Sequence, residues 1–256
     1  MHAKFIAERQ GGLPMIVNLG NRIVNCWLLP AENGYIMIDT GYEKSFPQFC
    51  KRMQRRHISP HEIRYIFLTH AHDDHAGFLN DVLRITDAKV ILHPEAVAGL
   101  QKGQNTFDGG CAGLQAYLFC RLLALLGKGE HRYPPIRKQY LHRLIPIDSP
   151  AFQALHFPFE IIRLPGHTAD QIALLAGDRL FCGDAAMNGF PSRKHAIIWI
   201  EDLQQYRRSW KKMIKLNAKL IYPAHGKPFP AEALRRCSPH LKQIRLYPLH
   251  PQKKCC

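Results

Sequence analysis

Short apolar runs closed by Gly, Pro or polar clusters recur along this chain, and their lengths suit strands better than solitary helices. Residues 15–19, 23–29 and 35–38 predict a three-stranded meander, with Asn33-Gly34 as the hairpin turn between the last two. Residues 45–57 carry helical spacing, 63–68 predict a strand, 77–84 a short helix and 89–92 a further strand. Beyond Ile145, strands return at 160–164, 172–176 and 179–182, and a long helix over 201–216 leads to a strand at 219–222. Strand clusters and helices thus alternate in two halves, a layout that fits a sandwich of sheets with helices outside. Between the halves, residues 95–147 form an insertion whose apolar run, 114–126, is interrupted by Arg121. The run is too short for a membrane span and predicts an amphipathic helix. Core packing, a lid over a site and a homodimer contact are the roles open to it, with attachment to a membrane surface the least favoured.

Five of the apolar runs are followed at once by residues able to bind metal. Ile36-Met37-Ile38 precedes Asp39, and Ile66-Phe67-Leu68 precedes Thr69-His70-Ala71-His72-Asp73-Asp74-His75. Leu164-Pro165-Gly166 leads to His167, Leu180-Phe181-Cys182-Gly183 to Asp184, and Leu220-Ile221-Tyr222-Pro223-Ala224 to His225. Two adjacent carboxylates cannot be buried without a cation, and imidazole nitrogen with carboxylate oxygen is a donor set that zinc and neighbouring first-row metals accept. A solvated turn would gain nothing from three histidines. Strand ends in layered folds converge on one edge, which is where function usually lies.

The HxHxDH string His70-Ala71-His72-Asp73-Asp74-His75, with the later His, Asp and His, resembles the signature of the metallo-β-lactamase-fold hydrolase superfamily over roughly residues 14–235. The resemblance implies an α+β fold, an αββα sandwich of two mixed sheets flanked by helices, in a single domain spanning 1–256. It implies that His70, His72 and His167 bind one metal, that Asp74, His75 and His225 bind a second, and that Asp184 bridges them. Two divalent ions per chain are then expected, zinc first, with iron or manganese as alternatives. Asp39 resembles the family's carboxylate that orients a ligand histidine. Asp73 occupies the position of the motif that does not ligate.

A metal-bound hydroxide would be the nucleophile, since coordination to zinc brings the pKa of water to about 7, and Asp74 would orient it and shuttle its proton. The resemblance points to the glyoxalase-II and lactonase-like branch, although Met187 stands where those lactonases would place a tyrosine three residues after the bridging aspartate. An ester, thioester or lactone of a small anionic molecule is the expected substrate. A phosphodiesterase or nuclease of the same fold, or a di-iron redox protein, is the alternative.

Composition narrows this further. The 35 Lys and Arg exceed the 20 Asp and Glu, giving a formal net charge of +15 that favours anionic partners. The basic clusters lie on segments with helical spacing, where solvated faces are the usual outcome, and no aromatic-interleaved stripe accompanies them, so nucleic acid is not the favoured partner. The first ten residues lack the profile of a secretory signal, no run is long enough for a transmembrane helix, and the eight cysteines are scattered. Reduced thiols and a cytoplasmic location are expected, and Cys255-Cys256 reads as a flexible tail.

Overall fold

Strands β1 (Val17–Asn18), β2 (Trp27–Ala31) and β3 (Gly34–Ile38) open the order of elements, followed by α1 (Phe46–Arg55), β4 (Ile63–Phe67), α2 (Asp73–Ala76), α3 (Leu79–Ile85), β5 (Lys89–Leu92) and α4 (Ala96–Lys102). Then come β6 (Gly110–Cys111), α5 (Leu114–Leu125), β7 (Leu144–Pro146), α6 (Pro150–Gln153), β8 (Glu160–Arg163), β9 (Ile172–Ala176) and β10 (Arg179–Gly183). The last are β11 (Trp199–Ile200), α7 (Leu203–Lys215), β12 (Leu220–Pro223), β13 (Phe229–Pro230) and α8 (Glu232–Cys237). This computed structural model describes residues 15–249 apart from 107, 128 and 193; the chain start and Cys255-Cys256 lie outside the described residues. The described residues divide into two compact units, one of 15–104 with 132–160 and one of 105–131 with 161–249.

The first unit is built on a mixed sheet in the order β1-β2-β3-β4-β5-β7, antiparallel through the meander and parallel from β3 onwards. Its strands are buried because Leu28, Met37, Ile66 and Val90 all point into one apolar cluster with Phe49, Phe78 and Val82. Helix α1 contributes Phe49 and Met53, one turn apart, and turns Lys51, Arg55 and Arg56 to solvent, so this basic cluster is a hydrated helix face. The hairpin turn falls one residue earlier than expected, on Glu32-Asn33, because Gly34 already pairs with Ala31. Asn33 takes the left-handed conformation, φ 64°, while Gly34 is needed where a Cβ would lie 2.1 Å from the carbonyl oxygen of Glu62. Residues 73–76 form their own turn, α2, so the following helix starts at Leu79 and not at Gly77.

The second unit has a mixed sheet in the order β13-β12-β10-β9-β8, with β10 parallel to β12 and antiparallel to β9. A small antiparallel pair, β6 with β11, joins Cys111 to Trp199. Helix α7 buries Tyr206, Ser209, Trp210 and Met213, the i, i+3, i+4, i+7 stripe of a core-facing helix. Its first turn is capped by Asp202, whose Oδ1 accepts the backbone N–H groups of Gln204 at 2.8 Å and Gln205 at 2.9 Å. The Gln205 N–H holds the Asp202 carboxyl below its usual range, against a smaller opposing effect of burial.

Residues 95–147 are shared between the units, 105–131 belonging to the second and the flanking stretches to the first. The run 114–126 does form a helix, but α5 buries only Ala116, so its leucines do not pack into the core of their unit. Among the described residues no helix is long and apolar enough to cross a membrane.

Candidate metal centre

In the first unit the parallel pairing of Ile38 with Phe67 brings the ends of β3 and β4 together, and the N–H of Asp39 donates to the Phe67 carbonyl at 3.0 Å. Asp39 itself is left-handed, φ 57°, which aims its carboxylate at the start of the histidine-rich bend. Oδ1 accepts the backbone N–H of Thr69 at 2.8 Å; Oδ2 accepts the Thr69 hydroxyl at 2.8 Å and Nδ1–H of His75 at 2.9 Å. An ionised carboxylate only accepts, so the Thr69 hydroxyl proton is committed to Asp39 and its oxygen is the acceptor for Nδ1–H of His70, 3.1 Å away. One carboxylate thereby sets the protons of two imidazoles, each keeping an Nε2 lone pair as a metal donor.

The bend is held from outside by Thr40, whose hydroxyl donates to the His75 carbonyl at 2.8 Å, and by Tyr133, whose hydroxyl donates to the Ala71 carbonyl at 2.7 Å. Ligand-capable atoms of His70 and His72, of His70 and His75, and of Asp74 and His75 lie within 4.8 Å of each other. The four side chains are buried, so this unit alone presents a His/Asp cluster with the chemistry of a metal-ligand set. Asp73 heads α2 and is not part of that cluster. Burial first, and then the Asp39 charge, push the Cys26 thiol well above its usual range, and it donates to the Asp39 carbonyl at 3.2 Å.

In the second unit the parallel pairing of β10 with β12 runs to Gly183 and Pro223, and the N–H of Ala224 donates to the Gly183 carbonyl at 3.1 Å. Asp184 and His225 follow directly and are thus neighbours. Asp184 Oδ1 lies 3.4 Å from Nε2 of His225, and its other oxygen, Oδ2, lies 3.5 Å from Nε2 of His167. A carboxylate with one oxygen turned to each of two imidazole donor atoms has the form of a bridging ligand. His167 donates Nδ1–H to the Trp199 carbonyl at 2.8 Å, which again leaves Nε2 as the donor.

Helix α7 props the loops that carry His167 and Asp184. Trp210 Nε1 donates to the Ala185 carbonyl at 2.8 Å, and the Ser209 hydroxyl donates to the Pro165 carbonyl at 2.6 Å. Gly166, with φ 135°, must be glycine because a Cβ there would lie 2.3 Å from the Tyr206 nitrogen. Glu201 donates its backbone N–H to the Gly166 carbonyl at 2.9 Å, and burial raises its carboxyl to about 7 although the Thr106 hydroxyl opposes the shift. Thr69, Tyr133, Trp199, Glu201, Ser209 and Trp210 escape a reading by motif; only the polarity of Thr69 beside the motif hints at any of them. His195 is a packing residue: its ring stacks on Phe229 at 4.0 Å, Nδ1 faces the Met187 carbonyl at 3.3 Å, and burial lowers its pKa.

The metallo-β-lactamase superfamily model matches residues 19–225. A metallo-β-lactamase fold-containing protein of Sulfurisphaera tokodaii is 27% identical over 229 residues, covering 87% of this chain and 78% of that protein. The thioesterase pkgB of Emericella nidulans is 24% identical over 206 residues, and the match covers 79% of this chain but 45% of the thioesterase, about half its length. The solved structure of an archaeal superfamily member from Sulfolobus tokodaii matches with a TM-score of 0.56 at 23% identity, over 87% of this chain and 80% of that one, which shows the shared fold. The orienting hydrogen bonds of His75 and His167, the carboxylate set between two imidazoles and the extent of the family match agree: the chain belongs to the metallo-β-lactamase superfamily.

Proposed function

We propose that this chain is a dinuclear metal-dependent hydrolase acting on an ester, thioester or lactone of a small anionic substrate. The observation that carries the reading is the placement of protons: His70, His75 and His167 each commit Nδ1–H to an oxygen and so offer Nε2 to a metal. In this reading His70, His72 and His167 hold one divalent ion, Asp74, His75 and His225 hold the other, and Asp184 is shared. Zinc suits nitrogen and oxygen donors of this kind, with iron or manganese as alternatives. When bound, the pair supplies Lewis acidity and a water whose pKa is brought to about 7.

The remaining work belongs to the chain. Asp39 and the Trp199 carbonyl keep ligand rings in register, and a carboxylate oxygen of Asp74 orients the attacking water and takes its proton. The reading takes residues 1–256 as one domain. The net charge of +15 supports an anionic substrate, and a thioesterase among the relatives supports acyl chemistry. A cytoplasmic location belongs to the same reading, since scattered cysteines suit reduced thiols.

The test is a panel of acyl esters, thioesters, lactones and phosphodiesters at identical metal loading. Acyl hydrolysis should dominate, and kcat/KM on an anionic acyl substrate should fall as salt rises while a neutral analogue responds little. Robust cleavage of RNA or bis-aryl phosphodiesters with negligible acyl hydrolysis would transfer the assignment to a phosphodiesterase.

A further inference from the structure

Helix α5 presents an apolar face that its own unit leaves uncovered. Leu114, Leu118, Leu122 and Leu125 recur at i, i+4, i+8 and i+11, on one side of the helix, and are 56%, 59%, 54% and 79% exposed. Leu126 adds 63% exposure at the helix end. The face extends onto the loop after β10, where Phe190 is 79% exposed and meets the ring of Phe119 edge-on at 5.7 Å. Single exposed leucines need no explanation, but a contiguous stripe of them marks an interaction surface.

Charge decides what the surface fits. No Asp or Glu occurs from Gly109 to Gly129. The exposed cations on these segments are Arg121 on the helix, Lys194 four residues past Phe190 in the same loop, and Lys227, whose carbonyl accepts from Asn188 Nδ2 of that loop at 2.8 Å. A second copy of a chain carrying +15 would be repelled, whereas an anionic lipid surface would be attracted. Helix α5 itself carries one cation, Arg121, so it supplies the apolar contact while the attraction to an anionic surface comes chiefly from cations elsewhere on the chain.

We propose that α5 and Phe190 dock this chain peripherally on an anionic lipid bilayer, the leucines entering the boundary between headgroups and acyl chains while Arg121, Lys194 and Lys227 face the phosphates. The docking does not depend on the hydrolase reading. It is also distinguishable from attraction by bulk charge, because removing leucines should weaken it with every cation in place.

The full-length protein is mixed with vesicles of phosphatidylcholine alone or with about 30% phosphatidylglycerol, and bound protein is measured by flotation. Binding to the anionic vesicles is expected, weaker as salt rises, with little binding to the neutral ones. The double variant Leu118→Gln/Leu122→Gln should bind about tenfold more weakly. Ile23→Gln, at a leucine-free site that is 62% exposed, should bind as wild type. Melting curves establish that the variants fold, and Phe190→Trp gives a reading independent of them, its emission shifting to the blue on adding anionic vesicles. Absence of wild-type flotation, or equal flotation of the double variant, overturns the proposal. So does a wild-type dimer that the double variant disperses while vesicle binding stays unchanged, an outcome that assigns the face to a second copy.

Discussion

Nδ1 of His75 donates to Oδ2 of Asp39 at 2.9 Å, joining the end of β3 to the bend after β4. The same oxygen accepts the Thr69 hydroxyl, so one buried carboxylate determines which nitrogen of His75 and of His70 carries the proton. Small errors in ring orientation at a metal ligand are costly, and a shared anchor couples the two rings.

Asp39→Ala should therefore leave a folded protein with metal affinity and turnover lowered about 10- to 100-fold, the usual effect of removing a group that orients a ligand. Competition with a chelator measures the first and steady-state kinetics the second. Affinity and turnover equal to wild type would reduce Asp39 to a turn residue.

Metal content should approach two divalent ions per chain by elemental analysis of the purified protein. His72→Ala and His167→Ala should mainly empty one position and His225→Ala the other, while Asp184→Ala should weaken both because its two oxygens face different imidazoles. A preparation saturated with zinc that holds only one ion would rule out the dinuclear reading.

Gly166→Ala should be more damaging than Gly177→Ala. Both glycines have positive φ, at 135° and 61°, but a Cβ on Gly166 would lie 2.3 Å from the backbone nitrogen of Tyr206, whereas none of the surroundings of Gly177 comes within 4 Å. Gly177→Ala should cost about 1 kcal/mol from its left-handed backbone alone, and Gly166→Ala about 3 kcal/mol or more, read from denaturant midpoints. Equal midpoints would show that α7 yields to the methyl group.

Asp202→Ala should lower stability by about 1 kcal/mol at neutral pH through loss of the α7 cap. The Asp202 carboxyl is lowered from 3.8, principally by the Gln205 N–H. A lowered carboxyl stabilises the folded state above 3.8, and that contribution disappears as pH falls through the folded value. The gap between wild type and variant should accordingly close in acid. A gap that stays constant down to the folded-state titration would mean that the carboxylate charge plays no part in the cap.

The strand ends that carry the candidate ligands are legible in the sequence because burial and metal-binding chemistry demand different residue types, and the change from Ile66-Phe67-Leu68 to His70 is abrupt. Strands β5, β9 and β10 are legible because each is a short apolar run closed by polar residues or glycine. Trp199 is not, since it acts through a backbone carbonyl that every residue possesses. The hairpin turn is misread by one residue because Gly34 looks like a turn glycine while its actual constraint, the approach to Glu62, lies in a distant part of the chain. The exposure of α5 is equally hidden, as an apolar run looks the same whether it faces a core or a partner.

The carbonyl of Trp199 gives the neighbouring segment a hold on His167. Residues 105–131 reach it through the pairing of Cys111 with Trp199, and Cys111 is itself bracketed by Tyr247, exchanging backbone hydrogen bonds with it at 2.9 and 3.0 Å. Any shift of the β6–β11 pairing near Gly110 would therefore move the carbonyl that holds the Nδ1 side of His167. The two-residue β6 ladder thus ties the segment that ends in α5 to the setting of His167.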